Sequence, residues 1–204
     1  MKVILWCNGE LPSETIAREI MSSTSLIFGV DGGADKASLM GYDVSKVLGD
    51  LDSVKHSKWE NQSIFLEDQS KSDLSKSIHY VSSLGVTDID VIGVEGGDYG
   101  HVFGAFATLN EVPDGMNVRM HYESGVLHLV SPSNDGFSEP MEKGRKFSVF
   151  ALRSCMKVNV TGGKWELAGQ QLQLSTKGLS NEGLGDLVRV TSDGVVAVYV
   201  ERLR

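Results

Sequence analysis

Five aspartates set the chemistry open to this sequence. Asp31, Asp50, Asp52, Asp68 and Asp73 each fall at, or just beyond, the end of a short apolar run. Asp31 follows residues 26–30, Asp50 and Asp52 follow 46–48, Asp68 follows 64–66, and Asp73 lies in the first turn of the stretch 72–84. Carboxylates that converge repel one another unless a cation joins them. Hard oxygen donors suit Mg²⁺, which typically takes one or two carboxylates together with water and substrate phosphates. That chemistry points to a nucleotide. Any single Asp would serve as well for a helix cap or a turn; recurrence at successive run ends is what argues for a site.

The runs themselves must be the elements that position these groups. Residues 3–7 are continuously apolar and stop at Asn8-Gly9, as in a strand buried on both faces. A helix opens at Pro12-Ser13 and extends to about Ser22, with Ile16, Ile20 and Met21 at helical spacing. Strands are expected at 26–30, 46–48, 64–66 and 89–94. Helices are expected at 34–40, closed by Gly41, at 72–84, capped by Ser72 and ended by Gly85, and at 100–110. Strands alternating with helices build a mostly parallel sheet covered on both faces, which binds its ligand at the carboxyl ends of the strands. Asp31-Gly32-Gly33 and Gly96-Gly97 would let backbone N–H groups approach phosphate oxygens. There is no GxxxxGK[ST] loop, and no GxGxxG after the first run, so a dinucleotide-binding enzyme is a weak alternative.

From about residue 116 the helical signal stops. Residues 118–122 and 126–130 read as a hairpin about Ser124-Gly125, and 131–144 as a polar linker. Short strands follow at 147–152, 158–160, 165–167, 171–174, 187–191 and 195–200, with Asp193-Gly194 as a turn before the last. The expected fold class is therefore α/β: an N-terminal, doubly wound, mostly parallel sheet domain over 1–133, then a small C-terminal all-β sandwich domain over 134–204. The boundary falls somewhere in 115–144.

The chain has 204 residues and a formal net charge of −8. Residues 1–133 hold 19 acidic and 9 basic side chains, whereas 134–204 hold 8 and 10. The excess acid thus belongs to the half that carries the aspartates, and it argues against nucleic acid as a partner, which would need a basic face. Cys7 and Cys155 form no CxxC pair and are expected as buried thiols in a reducing compartment. The opening apolar run is too short and too soon polar to read as a signal peptide, and no apolar run reaches membrane-spanning length, so a cytoplasmic location is expected.

Val30-Asp31-Gly32-Gly33-Ala34, Gly49-Asp50-Leu51-Asp52-Ser53 and Asp68-Gln69-Ser70-Lys71-Ser72-Asp73-Leu74 resemble three successive motifs of the thiamine pyrophosphokinase family. Asn8-Gly9-Glu10 resembles its first strand-end loop. Gly163-Lys164-Trp165-Glu166-Leu167 and Ser180-Asn181-Glu182 resemble its thiamine-binding β domain. The resemblance covers nearly the whole chain in order. It implies transfer of pyrophosphate from ATP to the thiamine hydroxyl, with Mg²⁺, in a homodimer whose sites lie between subunits. It implies catalytic and metal-binding roles for Asp50, Asp52 and Asp73, with Asp31 and Asp98 as further metal candidates. Asn8, Asp31, Gly32, Gly33, Gln69 and Lys76 would bind ATP. Trp165, Ser180, Asn181 and His101 would bind thiamine. The family pattern GGRxDH or GGRxDQ departs here to Gly96-Gly97-Asp98-Tyr99-Gly100-His101, with Asp98 at the Arg position and Gly100 at the Asp position; Ser70 replaces a second Asp. Two alternatives accompany this resemblance. One is a pyrophosphokinase for a hydroxymethylpterin, against which Lys164-Trp165 and Ser180-Asn181 argue. The other is a catalytically weak homologue that binds thiamine or nucleotide as a sensor.

Overall fold

The computed structural model describes residues 2–21 and 26–203. The chain forms two compact units, Met1–Glu123 and Ser124–Arg204.

In the first unit the apolar runs become parallel strands: β1 (Lys2–Trp6), β2 (Leu26–Val30), β3 (Lys46–Gly49), β4 (Ser63–Phe65), β5 (Asp88–Ile92) and β6 (Asn117–Tyr122). Their order is β4-β3-β2-β1-β5-β6, and every neighbouring pair is parallel. The chain steps outward from β1 in one direction through β4, then returns to β5 and leaves the other way. This is the doubly wound arrangement, with its reversal between β1 and β5. Helices α1 (Glu14–Ile20), α2 (Gly33–Leu39), α3 (His56–Trp59), α4 (Asp73–Ser83) and α5 (Tyr99–Thr108) connect them. The expected end of α1 at Ser22 lies outside the described residues.

The local reasons are visible. Ser13 Oγ accepts from Ile16 N at 3.4 Å to start α1, and Ser72 Oγ accepts from Ser75 N at 3.2 Å to start α4. Ile16, Ala17 and Ile20 of α1 join Ala34 and Ala37 of α2 over Ile4, Trp6, Ile27, Val47 and Ile92 of the sheet. Gly33 has no alternative: a Cβ there would lie 1.9 Å from the Trp6 carbonyl oxygen. Its absence lets α2 begin directly on the end of β1. The α3 turn was not expected from the sequence; it is too short to carry a periodic signal.

The second unit contains β7 (Gly125–Val130), β8 (Phe137–Pro140), β9 (Lys146–Ala151), β10 (Cys155–Thr161), β11 (Leu167–Leu172), β12 (Asn181–Glu182), β13 (Leu187–Ser192) and β14 (Val196–Glu201). Two antiparallel layers form, β12-β9-β14-β7 and β11-β10-β13-β8. Alternate residues of β10, β13 and β14, including Val158, Val160, Val188, Val190, Val196 and Val198, fill one core together with Phe137 and Phe147. The expected linker 131–144 is corrected here, since β8 lies inside it and pairs with β13 through Phe137 and Val190. The expected strands 165–167 and 171–174 are also corrected. A single strand, β11, joins them, because Gly169 accommodates φ +62° between the two runs.

Among the described residues no helix is long and apolar enough to cross a membrane.

Candidate functional site

Three loops at the carboxyl ends of β2 and β3 and the start of α4 meet in the first unit. Asp31, Asp50 and Asp73 each present a carboxylate oxygen within 4.8 Å of the other two. The backbone around them is constrained. Among the described residues the non-glycine positions with positive φ are Asp31 (47°), Leu51 (65°) and Ser180 (58°), and each falls in a segment singled out from sequence. Such conformations cost free energy and persist where the surroundings over-determine them, commonly at functional sites. Gly49 adopts φ 146°, and a Cβ there would lie 3.1 Å from Asp73 Oδ1 and 3.3 Å from the Asp31 side chain. A side chain there would crowd both aspartates.

Hydrogen bonds fix the group. Asp50 N donates to Asp73 Oδ1 at 3.1 Å, Asp52 N to Asp50 Oδ1 at 3.3 Å, and Ser53 N to Asp31 Oδ1 at 3.3 Å. Lys76 Nζ pairs with Asp73 Oδ1 at 2.8 Å. Burial pushes the Asp31 carboxyl up, the Asp52 charge adds to this, and hydrogen bonds from Ser53 and Gly32 partly offset it. A carboxyl so placed gains from a cation that takes over its charge. Three hard oxygen donors in this spacing fit a divalent ion of the Mg²⁺ type.

The other expected residues sit as follows. Asp52 is exposed, outside the three-carboxylate group, and accepts from Ser53 Oγ at 2.7 Å. Asp68 is exposed and turned to its own loop: Ser70 N and Oγ donate to it at 2.9 and 2.5 Å and hold its carboxyl low. Asp98 caps α5, accepting from Gly100 N at 2.7 Å, and does not join the three carboxylates. Gln69 and His101 are exposed. Asn8 packs on Gly32, where a Cβ would lie 2.5 Å from its amide nitrogen. Lys76 is almost wholly buried, with Nζ 3.2 Å from the Leu66 carbonyl as well.

Sequence reasoning missed Lys36. Its ammonium donates to the Asn8 carbonyl at 2.7 Å and to the Gly9 carbonyl, tying the loop after β1 to α2. Beyond the strands, Gly9 N donates to Gly93 O at 2.7 Å and Glu10 N to Glu95 O at 2.6 Å. Those bonds zip together the loops after β1 and β5. The three carboxylates gather at the ends of β2 and β3 and the start of α4. Cys7 lies under this region and is buried; burial and the Asp73 charge push its thiol up to about 12, so it remains protonated. Cys155 is likewise free and buried.

In the second unit Asn181 joins two segments. Its Oδ1 accepts from Trp165 N at 3.1 Å and its Nδ2 donates to Trp165 O at 2.7 Å. Asn181 is buried, whereas the Trp165 ring is 54% exposed. An indole held by its backbone yet open to solvent is unusual for a core residue and suits a flat or cationic ligand. Lys164 Nζ lies 4.6 Å from that ring's centroid, and it pairs with Glu182 at 3.3 Å. Ser180 N donates to the buried Ser148 Oγ at 3.0 Å.

Residues 17–120, just over half the chain, match the family model described as thiamin pyrophosphokinase, catalytic domain. The fold is similar to a solved thiamine pyrophosphokinase from Bacillus subtilis (TM-score 0.80, 17% identity, 98% of this chain and 99% of that one). It is also similar to a probable thiamine pyrophosphokinase from Staphylococcus saprophyticus (0.71, 21%, 100% of each chain) and to thiamin pyrophosphokinase from Candida albicans (0.74, 16%, 98% and 89%). No curated protein sequence matches the chain.

Proposed function

The chain belongs to the thiamin pyrophosphokinase family, and we propose that it transfers the pyrophosphoryl group of ATP to the hydroxyl of thiamine, giving thiamine diphosphate and AMP. The observation that carries this reading is the convergence of Asp31, Asp50 and Asp73 inside the segment that matches the family's catalytic domain. In the reaction the thiamine oxygen bonds to the β-phosphorus, the bond from that phosphorus to the oxygen of the α-phosphate breaks, and the hydroxyl proton is lost. Catalysis of this kind is mainly alignment and offset of negative charge.

Asp31, Asp50 and Asp73 would hold Mg²⁺, which when bound supplies positive charge to the phosphates. Asp52, whose N–H donates to Asp50 Oδ1, would add a further carboxylate beside those three. Asn8, Gly32, Gly33 and Gln69 line the ATP side. In the second unit Trp165, Ser180 and Asn181 would bind thiamine, with the Trp165 face offered to the thiazolium, and His101 is a further thiamine-binding candidate. The active form is a homodimer with sites between subunits, and the protein is cytoplasmic. Support for self-association comes from α5, where Tyr99 and Phe103, four residues apart, are 81% and 73% exposed.

One assay tests the reading. Purified protein with ATP and Mg²⁺ is expected to release AMP when thiamine is added. Release only with a hydroxymethylpterin, or thiamine binding with no AMP, would overturn it. Within it, Trp165→Ala is expected to raise the KM for thiamine by about tenfold through loss of stacking and cation–π attraction, with the KM for ATP little changed. Equal effects on the two would mark Trp165 as structural.

A further inference from the structure

We infer that Lys76 is an internal counter-ion of the three-carboxylate group, placed so that it competes with a divalent cation for Asp73. The inference rests on the metal-binding reading above but assigns Lys76 a different role from direct ATP contact. Asp73 and Lys76 are three residues apart on α4 and so share a face. The Lys76 side chain is 5% exposed, and its ammonium faces two acceptors, Asp73 Oδ1 at 2.8 Å and the Leu66 carbonyl at 3.2 Å. A buried ammonium persists only when paired in this way. A phosphate-binding lysine needs its ammonium presented to the ligand; this one is turned inward.

Asp73 Oδ1 also takes the Asp50 N–H at 3.1 Å, so one oxygen of Asp73 receives two donors. Those donors fix the carboxylate's orientation. The three acidic groups repel at this spacing, and Lys76 is the buried cation that offsets them when no divalent ion is bound. Its charge must in turn oppose any divalent ion that binds beside Asp73. Lys76 is therefore a positioning residue: it holds the site assembled in the metal-free protein and lowers the site's affinity for metal.

The experiment measures Mn²⁺ binding by electron paramagnetic resonance, and Tm with either chelator or Mn²⁺, for the full chain and for Lys76→Met, Lys76→Gln and Lys76→Arg. The expected result is that the unsubstituted chain binds Mn²⁺ and that Met and Gln bind it about tenfold tighter. Both should lose about 5–10 °C in chelator and regain most of it with Mn²⁺, while Arg, which keeps the charge, stays near the unsubstituted affinity. If Lys76→Met does not fold, Lys76→Gln, which keeps a donor for Leu66, gives the same comparison. Mn²⁺ affinity that is unchanged or weaker in the neutral variants, or a Tm loss equal with and without Mn²⁺, overturns the counter-ion role alone. Failure of the unsubstituted chain to bind Mn²⁺ overturns the metal reading together with it.

Discussion

Asp73→Asn is expected to lower thiamine-dependent AMP formation by about 10²–10³-fold, the range seen when one pre-organised charge-stabilising group is lost, with the fold retained. The substitution keeps the shape of the side chain. An amide oxygen still accepts from Asp50 N, which now lies 3.1 Å from Oδ1, so the loop after β3 keeps its anchor. What disappears is one of three negative charges held within 4.8 Å. The partner cost falls on Lys76, whose buried ammonium keeps the Leu66 carbonyl and the amide oxygen as acceptors but loses the Asp73 charge. A lower Tm is therefore expected alongside unchanged far-UV circular dichroism. The check is kcat and KM at saturating Mg²⁺, measured well below the variant's Tm. Full activity would remove Asp73 from the machinery; loss of activity only above the variant's Tm would make its role structural.

That Asp73 could be found at all from sequence reflects where it stands. The aspartates at the ends of β2 and β3 and at the start of α4 recur in step with apolar runs, and the doubly wound order brings those ends together. Asp68 obeys the same spacing but lies outside the three-carboxylate group and is bonded to its own loop, where Ser70 two residues on offers it both a backbone and a side-chain donor. Capping and ligation use the same residue types, so only geometry separates them. Asp98 is a second case: a further metal candidate by resemblance, it caps α5 and lies outside the three-carboxylate group.

Lys36 was invisible for a different reason, since its partners are backbone carbonyls 27 and 28 residues earlier and carry no sequence signal. In the second unit the alternation of valines marked β13 and β14 well. The exposed β11, with one fully buried residue, was read as two pieces. Strand signals fade where few residues face the core.

The most consequential residue that carries no motif is Asp90. Parity alone hints at it: Asp88 and Asp90 alternate on β5 and Arg119 and His121 on β6, but the hint means something only once β5 and β6 are known to be neighbours. Register then sets Asp90 beside Arg119 and Ile4. Its carboxylate is 1% exposed and receives Lys2 Nζ at 2.7 Å, Arg119 Nε at 2.8 Å and His121 Nε2 at 2.6 Å. Burial alone would raise the Asp90 carboxyl. Hydrogen bonds from His121, Arg119 and Lys2, with the Arg119 charge, outweigh burial and hold it well below the usual carboxylate range.

Asp90→Ala is expected to cost about 3 kcal/mol, the lower end for breaking a buried ion pair, because Arg119 and Lys2 are 28% and 33% exposed and can turn partly to water. For a chain of this size that is a fall in Tm of about 6–12 °C. The pH dependence follows from the sign of the shift. A carboxyl depressed in the folded state contributes its full stability above its unfolded pKa of about 3.9, and that contribution fades as pH falls toward the folded value. The stability gap between the unsubstituted chain and Asp90→Ala should therefore be flat from pH 7 to 5 and shrink below about pH 4. Urea unfolding at a series of pH values measures it. A gap of the same size at pH 3 and pH 7 would mean that Asp90 acts through packing, and no gap at pH 7 would mean that its hydrogen-bonded and ionic contacts with Lys2, Arg119 and His121 merely offset the cost of burying it.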